Sequence, residues 1–274
     1  MKKKIIIPFS GDQFPGSAFS FASELNSLTP ILLAGVFLPE VEYASFFFFP
    51  TSFAAPAFVP IPEGVNEEDL ENNVKQFSES CEKNSIEYKV HRNPYDSASN
   101  ELTKETRFAD AMIMGGGNFF MEGEEYVTDR HLKDALHNTE CPVIIVPEHY
   151  TFPGTIILAY DGSESSVYSI KQFAILFPEL CNSKTVLLHI QGKQKEIPDQ
   201  PLIEELMGRH YSDITIIKLA LGDEESISNW IKKNKNPMIV SGSFGRSGFS
   251  EFFRESFVMS VIKEGIAPVF IAHR

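Results

Sequence analysis

The order of structural signals in the first half of this chain recurs in the second, and an internal repeat constrains the fold more than any single motif. Each half opens with a β-rich run into a turn, Ile5-Ile6-Ile7-Pro8-Phe9-Ser10-Gly11 and Ile156-Ile157-Leu158-Ala159-Tyr160-Asp161-Gly162. A helical stretch follows, then an apolar strand (Ile31 to Phe37; Val186 to Ile190), a second helix, and an alternating strand (Ile86 to Val90; Ile214 to Leu219). A third helix leads to Met112-Ile113-Met114-Gly115 in one half and Met238-Ile239-Val240-Ser241-Gly242 in the other. Both halves close on a fourth helix and an apolar strand after proline, Cys141-Pro142-Val143-Ile144-Ile145-Val146 and Ala267-Pro268-Val269-Phe270-Ile271-Ala272.

The fold class this implies is α/β: two tandem repeats, each a five-stranded parallel, doubly wound sheet with four helices and right-handed crossovers. The repeats span 1–147 and 154–274, joined by a short linker near Pro147 to Gly154. Sheets of this kind bind ligands outside the carboxyl ends of their strands, so function is sought in the strand-to-helix turns. The first repeat carries an additional segment, Glu40 to Asn66, with Phe46-Phe47-Phe48-Phe49 and prolines 50, 56, 60 and 62. Proline rules out a regular helix or central strand there. Such a loop could dock a partner, a lipid surface or a second copy of the chain, and the favoured alternative is a lid over its own repeat.

Charge excludes one class of partner. A formal net charge of −13 and an isoelectric point near 5.0 leave no basic stripe for a phosphate backbone, so nucleic acid is not expected as a partner. The apolar run after Lys4 is too short for a signal-peptide core, and no run suffices for a transmembrane segment. Cys81, Cys141 and Cys181 are widely spaced and fit neither a disulfide framework nor a zinc site; a soluble, cytoplasmic protein is the expectation. Burial rather than reactivity is expected of Cys141.

The chemistry concentrates in the second repeat. Ser241-Gly242-Ser243-Phe244-Gly245-Arg246-Ser247-Gly248 follows a strand and precedes a helix. Glycines there let backbone N–H groups approach a phosphate, Ser243 and Ser247 add hydroxyl donors, and Arg246 supplies positive charge. His189 ends a strand; it is a ligand contact or a satisfied structural group. His91, His131 and His137 have no metal-ligand spacing, and no metal site is expected. Neither a G-x-S-x-G elbow nor a Walker loop occurs. Acidic runs such as Glu122-Gly123-Glu124-Glu125 read as solvated surface.

With these residues the chain resembles the universal stress protein family, as a tandem, two-repeat member. Nucleotide-binding members end a fourth strand with G-x-x-G, nine residues, then G-[ST]; Gly242, Gly245 and Ser256 match that pattern, and Asp161-Gly162-Ser163 reproduces the Asp-Gly-Ser that ends the family's first strand. Leu187-Leu188-His189-Ile190 and Gly222-Asp223 look like further family features. The resemblance implies a Rossmann-like fold and an adenine nucleotide as cofactor, ATP or AMP, with Mg accompanying ATP. Asp161 would contact the adenosine, while the glycine loop and Ser256 would hold ribose and phosphates. It also implies a non-enzymatic stress-response sensor or regulator, at most weakly hydrolysing ATP. The last strands, Val143 to Val146 and Val269 to Ala272, would pair the repeats into an intramolecular pseudo-dimer, and the resemblance leaves a homodimer open.

Two departures bear on this. Glu255 stands where ATP binders have glycine; two like charges about 4 Å apart repel by roughly 4 kcal/mol at an effective dielectric near 20, so a Glu255 facing phosphates would oppose triphosphate binding. In the first repeat Ser10 replaces the aspartate, and Gly115-Gly116-Gly117-Asn118 lacks the second glycine and the arginine. That repeat is expected not to bind nucleotide as the family does. The alternative function is a protein-interaction module that has lost nucleotide, with the Phe-rich loop as contact surface.

Overall fold

A computed structural model describes residues 2–9, 14–37, 67–92, 98–115, 139–191, 196–220, 224–242 and 251–272. The Phe-rich segment and most of the glycine loop after Gly242 lie outside these residues, as do Ser10 and the helix expected between Gly117 and Cys141. The described residues form ten strands and seven α-helices. The first strands and helices are β1 (Lys3–Phe9), α1 (Gly16–Leu28), β2 (Ile31–Phe37), α2 (Glu67–Lys83), β3 (Glu87–Arg92), α3 (Ala98–Arg107) and β4 (Ala111–Gly115). After β5 (Val143–Val146) come β6 (Thr155–Ala159), α4 (Glu164–Leu176), β7 (Lys184–Gln191), α5 (Gln200–His210), β8 (Asp213–Ala220), α6 (Glu224–Lys232), β9 (Pro237–Gly242), α7 (Glu251–Lys263) and β10 (Val269–Ala272). The chain divides into two compact units, one built from β1 to β3 and most of β4, the other from β5 to β10.

In the first unit the strand order is β3-β2-β1-β4, and every pairing is parallel. Phe9 and Phe37, the last residues of β1 and β2, are register partners. Ile5, Ile6, Ile7, Leu33 and Ala34 are fully buried, the continuous apolar run expected of strands covered on both faces. Helix α1 buries Ala18, Phe21, Ala22 and Leu25, and α2 buries Val74, Phe77 and Cys81; both sets recur at helical spacing.

The second unit has the order β8-β7-β6-β9-β10-β5. All its pairings are parallel except the last, where β10 runs antiparallel to β5 with Val269 opposite Ile145, Phe270 opposite Ile144 and Ile271 opposite Val143. The strand pairing expected of these two segments is thus present, and the closing strand of the first repeat belongs to the second compact unit. Helix α4 packs over this junction: Phe173 meets Phe270 edge-on with centroids 5.3 Å apart, and Phe177 meets it at 6.0 Å. The order reverses between β6 and β9, which flank the crevice where a doubly wound sheet takes its ligand. Among the described residues no helix is long and apolar enough to cross a membrane.

Candidate functional site

The turn from β6 into α4 is shaped by three short-range devices. Asp161 Oδ1 accepts the Ser163 N–H at 3.0 Å, closing an Asx turn. Gly162 sits at φ 82°, the left-handed region that glycine enters without strain. Ser163 is the N-cap of α4: its Oγ accepts from the Ser166 N–H at 3.2 Å, satisfying one of the helix's orphan donors. The hydroxyl expected to meet a nucleotide therefore also holds the helix start. Ser165 and Ser166 hydroxyls lie 3.2 and 3.3 Å from it.

Gly242, at the end of β9, is where the sheet presses on this turn. A Cβ there would lie 2.5 Å from the Ser165 carbonyl carbon and 2.6 Å from its oxygen. Only glycine lets β9 and the first turn of α4 come this close. The spacing rule for phosphate loops found this glycine, and its role among the described residues is to bring the two walls of the crevice together.

Beside the turn, Tyr160 and His189 join the ends of β6 and β7. The Tyr160 N–H donates to the Leu188 carbonyl at 2.9 Å, and His189 Nδ1 lies 3.0 Å from the Tyr160 carbonyl oxygen. Tyr160 is 3% exposed and His189 4%. His189 Nε2 is buried and has no hydrogen-bond partner among the described residues. The histidine is thus satisfied on one nitrogen only, between the two readings of it from sequence. Asp161 Oδ2 is buried in the same corner.

A strap crosses the turn. The Tyr160 hydroxyl donates to the Pro198 carbonyl at 2.9 Å, and a Cβ on Gly162 would fall 2.5 Å from Pro198 Cβ. Burial, then the carboxylates of Asp199 and Asp161, hold the Tyr160 phenol above its ordinary value, so it remains a donor to that carbonyl. Lys218 on β8 anchors the strap through Glu196 at 2.7 Å. Tyr160 and Pro198 were not singled out from sequence. Tyr160 could have been found by laying the repeats side by side, since it aligns with Phe9; nothing local marks Pro198.

The matching corner of the first unit is apolar. Phe9 and Phe37 stack with centroids 4.4 Å apart at 19°, and Phe77 meets both edge-on at 5.3 and 5.9 Å. Each of the stacked rings is 2% exposed. Phe37 pairs with Phe9 where His189 meets Tyr160. The one corner is packed by carbon and the other carries buried polar atoms.

Of the residues singled out from sequence, Asp161, Gly162, Ser163, His189 and Gly242 are gathered at the carboxyl ends of β6, β7 and β9. Ser243, Gly245, Arg246 and Ser247 lie outside the described residues, as do Gly222 and Asp223, and Ser256 falls on α7. Among the described residues no group of three or more His, Cys, Asp or Glu side chains could hold a metal ion.

No protein-family model matches the sequence, and no curated protein matches it. Solved structures do. A universal stress protein from Archaeoglobus fulgidus superposes with a TM-score of 0.70 at 14% identity, covering 99% of this chain and 96% of that one. The fold is that of the universal stress proteins. A putative universal stress protein from Pseudomonas aeruginosa matches with a TM-score of 0.55 at 13% identity, over 99% of this chain and 93% of that one. The cytoplasmic domain of a prokaryotic cation chloride cotransporter matches at 0.54 and 9% identity, over 99% and 95%. Both expectations of the architecture, the tandem arrangement and the doubly wound α/β class, hold across nearly the whole length. At these identities the likeness is one of fold, and fold alone does not carry function.

Proposed function

We propose that the second unit binds an adenine nucleotide, ATP or AMP, and that the protein acts as a cytoplasmic stress-response sensor or regulator rather than as an enzyme. The observation that carries this reading is the polar corner at the ends of β6 and β7, where buried His189 Nε2 is without a partner among the described residues beside the Asp161 turn. A buried polar atom left so is uncommon and calls for a partner such as a ligand. The position supports the reading too, because the corner adjoins the crevice between β6 and β9.

In this reading Asp161 and Gly162 shape the seat for the ribose, and Ser163 fixes the start of α4, whose positive end faces the crevice. Ser243, Gly245, Arg246, Ser247 and Ser256 would engage the phosphates, with Mg alongside ATP. The stacked Phe9 and Phe37 support a single pocket per chain, because the first unit's equivalent space is filled by rings. The pairing of β5 with β10 supports an intramolecular pseudo-dimer, and a homodimer would use further surface.

The test is calorimetric titration of charcoal-stripped protein with ATP and AMP. Micromolar binding that Asp161→Ala abolishes is the expected result. Absence of heat with the parent protein, with ATP binding appearing only in Glu255→Gly, would sink the reading and leave an interaction module that has lost its nucleotide.

A further inference from the structure

The strap over the turn from β6 into α4 consists of Glu196, Ile197, Pro198 and Asp199, and its residues are held in different ways. Ile197 is buried. The Pro198 carbonyl accepts from the Tyr160 hydroxyl at 2.9 Å, and Pro198 Cβ lies 2.5 Å from where a Cβ on Gly162 would stand. The proline therefore rests on the open face of the turn. The Glu196–Lys218 ion pair is a tether at the surface, of the kind that adds little.

Asp199, where the strap passes into α5, is not relaxed. Its φ of 47° lies in the left-handed region, which an aspartate enters at a cost that glycine escapes. An aspartate at a helix N-cap ordinarily has extended backbone and accepts a helix N–H through its side chain. Asp199 stands at the N-cap of α5 and its side chain makes no such bond. Closing the strap on Gly162 thus forgoes a cap. A strap lifted from the turn loses the Tyr160 hydrogen bond and the burial of Ile197, and frees Asp199 to return to extended backbone and cap α5. Two arrangements with opposed gains are what a bistable element requires.

Resting on the nucleotide reading above, we propose that this strap inhibits the site from within the chain: when it is closed, Pro198 occupies the face of Gly162 on which the ribose is seated, and a nucleotide binds only when the strap is lifted. An affinity limited in this way is reduced by the fraction of molecules that are open. Weakening the strap's own contacts therefore tightens nucleotide binding, the reverse of what losing a merely structural contact beside a site does.

The experiment combines amide hydrogen exchange with calorimetric titration by AMP, on stripped, full-length parent protein, Tyr160→Phe and Ile197→Ala. The Leu202 and Ile203 N–H groups both donate to the Asp199 carbonyl, so a peptide from Glu196 to Ile203 reports opening. Tyr160→Phe deletes one hydrogen bond and is expected to speed exchange in that peptide roughly fivefold and to tighten AMP binding by a similar factor. Ile197→Ala removes buried apolar surface and is expected to do more of both. AMP binding that appears in a variant and not in the parent supports the proposal equally. Faster exchange without tighter binding overturns inhibition by the strap while leaving nucleotide binding standing. Exchange unchanged in both variants overturns it as well, because these contacts would then not hold the strap shut. No AMP binding by any of the three proteins overturns the nucleotide reading and the inhibition with it.

Discussion

Gly162 and Gly242 stand out in the sequence as motif glycines, and the structure gives each a different reason from the one the motif suggests. At Gly162 an alanine would have to hold φ 82° and push against Pro198; the left-handed backbone alone costs about 1–2 kcal/mol. At Gly242 the obstruction is the backbone of Ser165, which cannot swing aside as a side-chain tip would. Gly242→Ala is expected to lower unfolding stability by about 3 kcal/mol and Gly162→Ala by less, measured by urea denaturation. A Gly242→Ala protein of parental stability would contradict the close approach of β9 to α4. The motif marked these positions because their spacing is local. The neighbours that require glycine, Pro198 and Ser165, are brought in by the tertiary fold and leave no mark at those positions. Of the cysteines, Cys141 was legible as buried, and Cys81 and Cys181 are buried as well. Burial pushes the Cys81 and Cys181 thiols up to about 12 from 9.0. Their folded values are raised, so their contribution to stability is full below the unfolded value and is lost as pH rises from about 9 towards 12. The urea midpoint is therefore expected to fall between pH 8.5 and about 10.5, and native protein at pH 8 to react slowly with a thiol reagent that titrates all three cysteines after unfolding. Rapid labelling of folded protein would show that these thiols are not sealed.

Strands were the most legible elements, because parallel strands buried on both faces read as unbroken apolar runs. Ile31 to Phe37 coincides with β2 at both ends. Ile86 was expected to open β3 but lies before it: its N–H returns to the Cys81 carbonyl at 2.9 Å, and Ser85 at φ 54° turns the chain out of α2 first. A helix end satisfying its own carbonyls outcompetes the start of a ladder at that residue. The pairing of β5 with β10 could not be derived from pattern, since apolar alternation says which face is buried and not which strand lies alongside. Its weight is testable at Phe270, which is fully buried, sits opposite Ile144 and packs edge-on against Phe173. Phe270→Ala is expected to reduce stability by about 3–5 kcal/mol, read from the denaturation midpoint. A change below about 1 kcal/mol would mean that this junction adds little to the fold.

At the scale of the whole molecule, repetition made the architecture legible while hiding the difference between the repeats. The same strand order recurs about β1 and about β6, yet the corner that is carbon in one unit is polar in the other because of two exchanges, Phe9 against Tyr160 and Phe37 against His189. From sequence the two units were set apart by Ser10 against Asp161 and by the missing second glycine. The aromatic packing behind those substitutions needed the register of β1 on β2 to be seen. The central claim, one nucleotide site per chain and that site in the second unit, is tested most directly by equilibrium dialysis of stripped protein against radiolabelled ATP and AMP at saturation. One molecule bound per chain in the parent and none in Asp161→Ala is the expected result. Two per chain, none in the parent, or one that survives Asp161→Ala would contradict it.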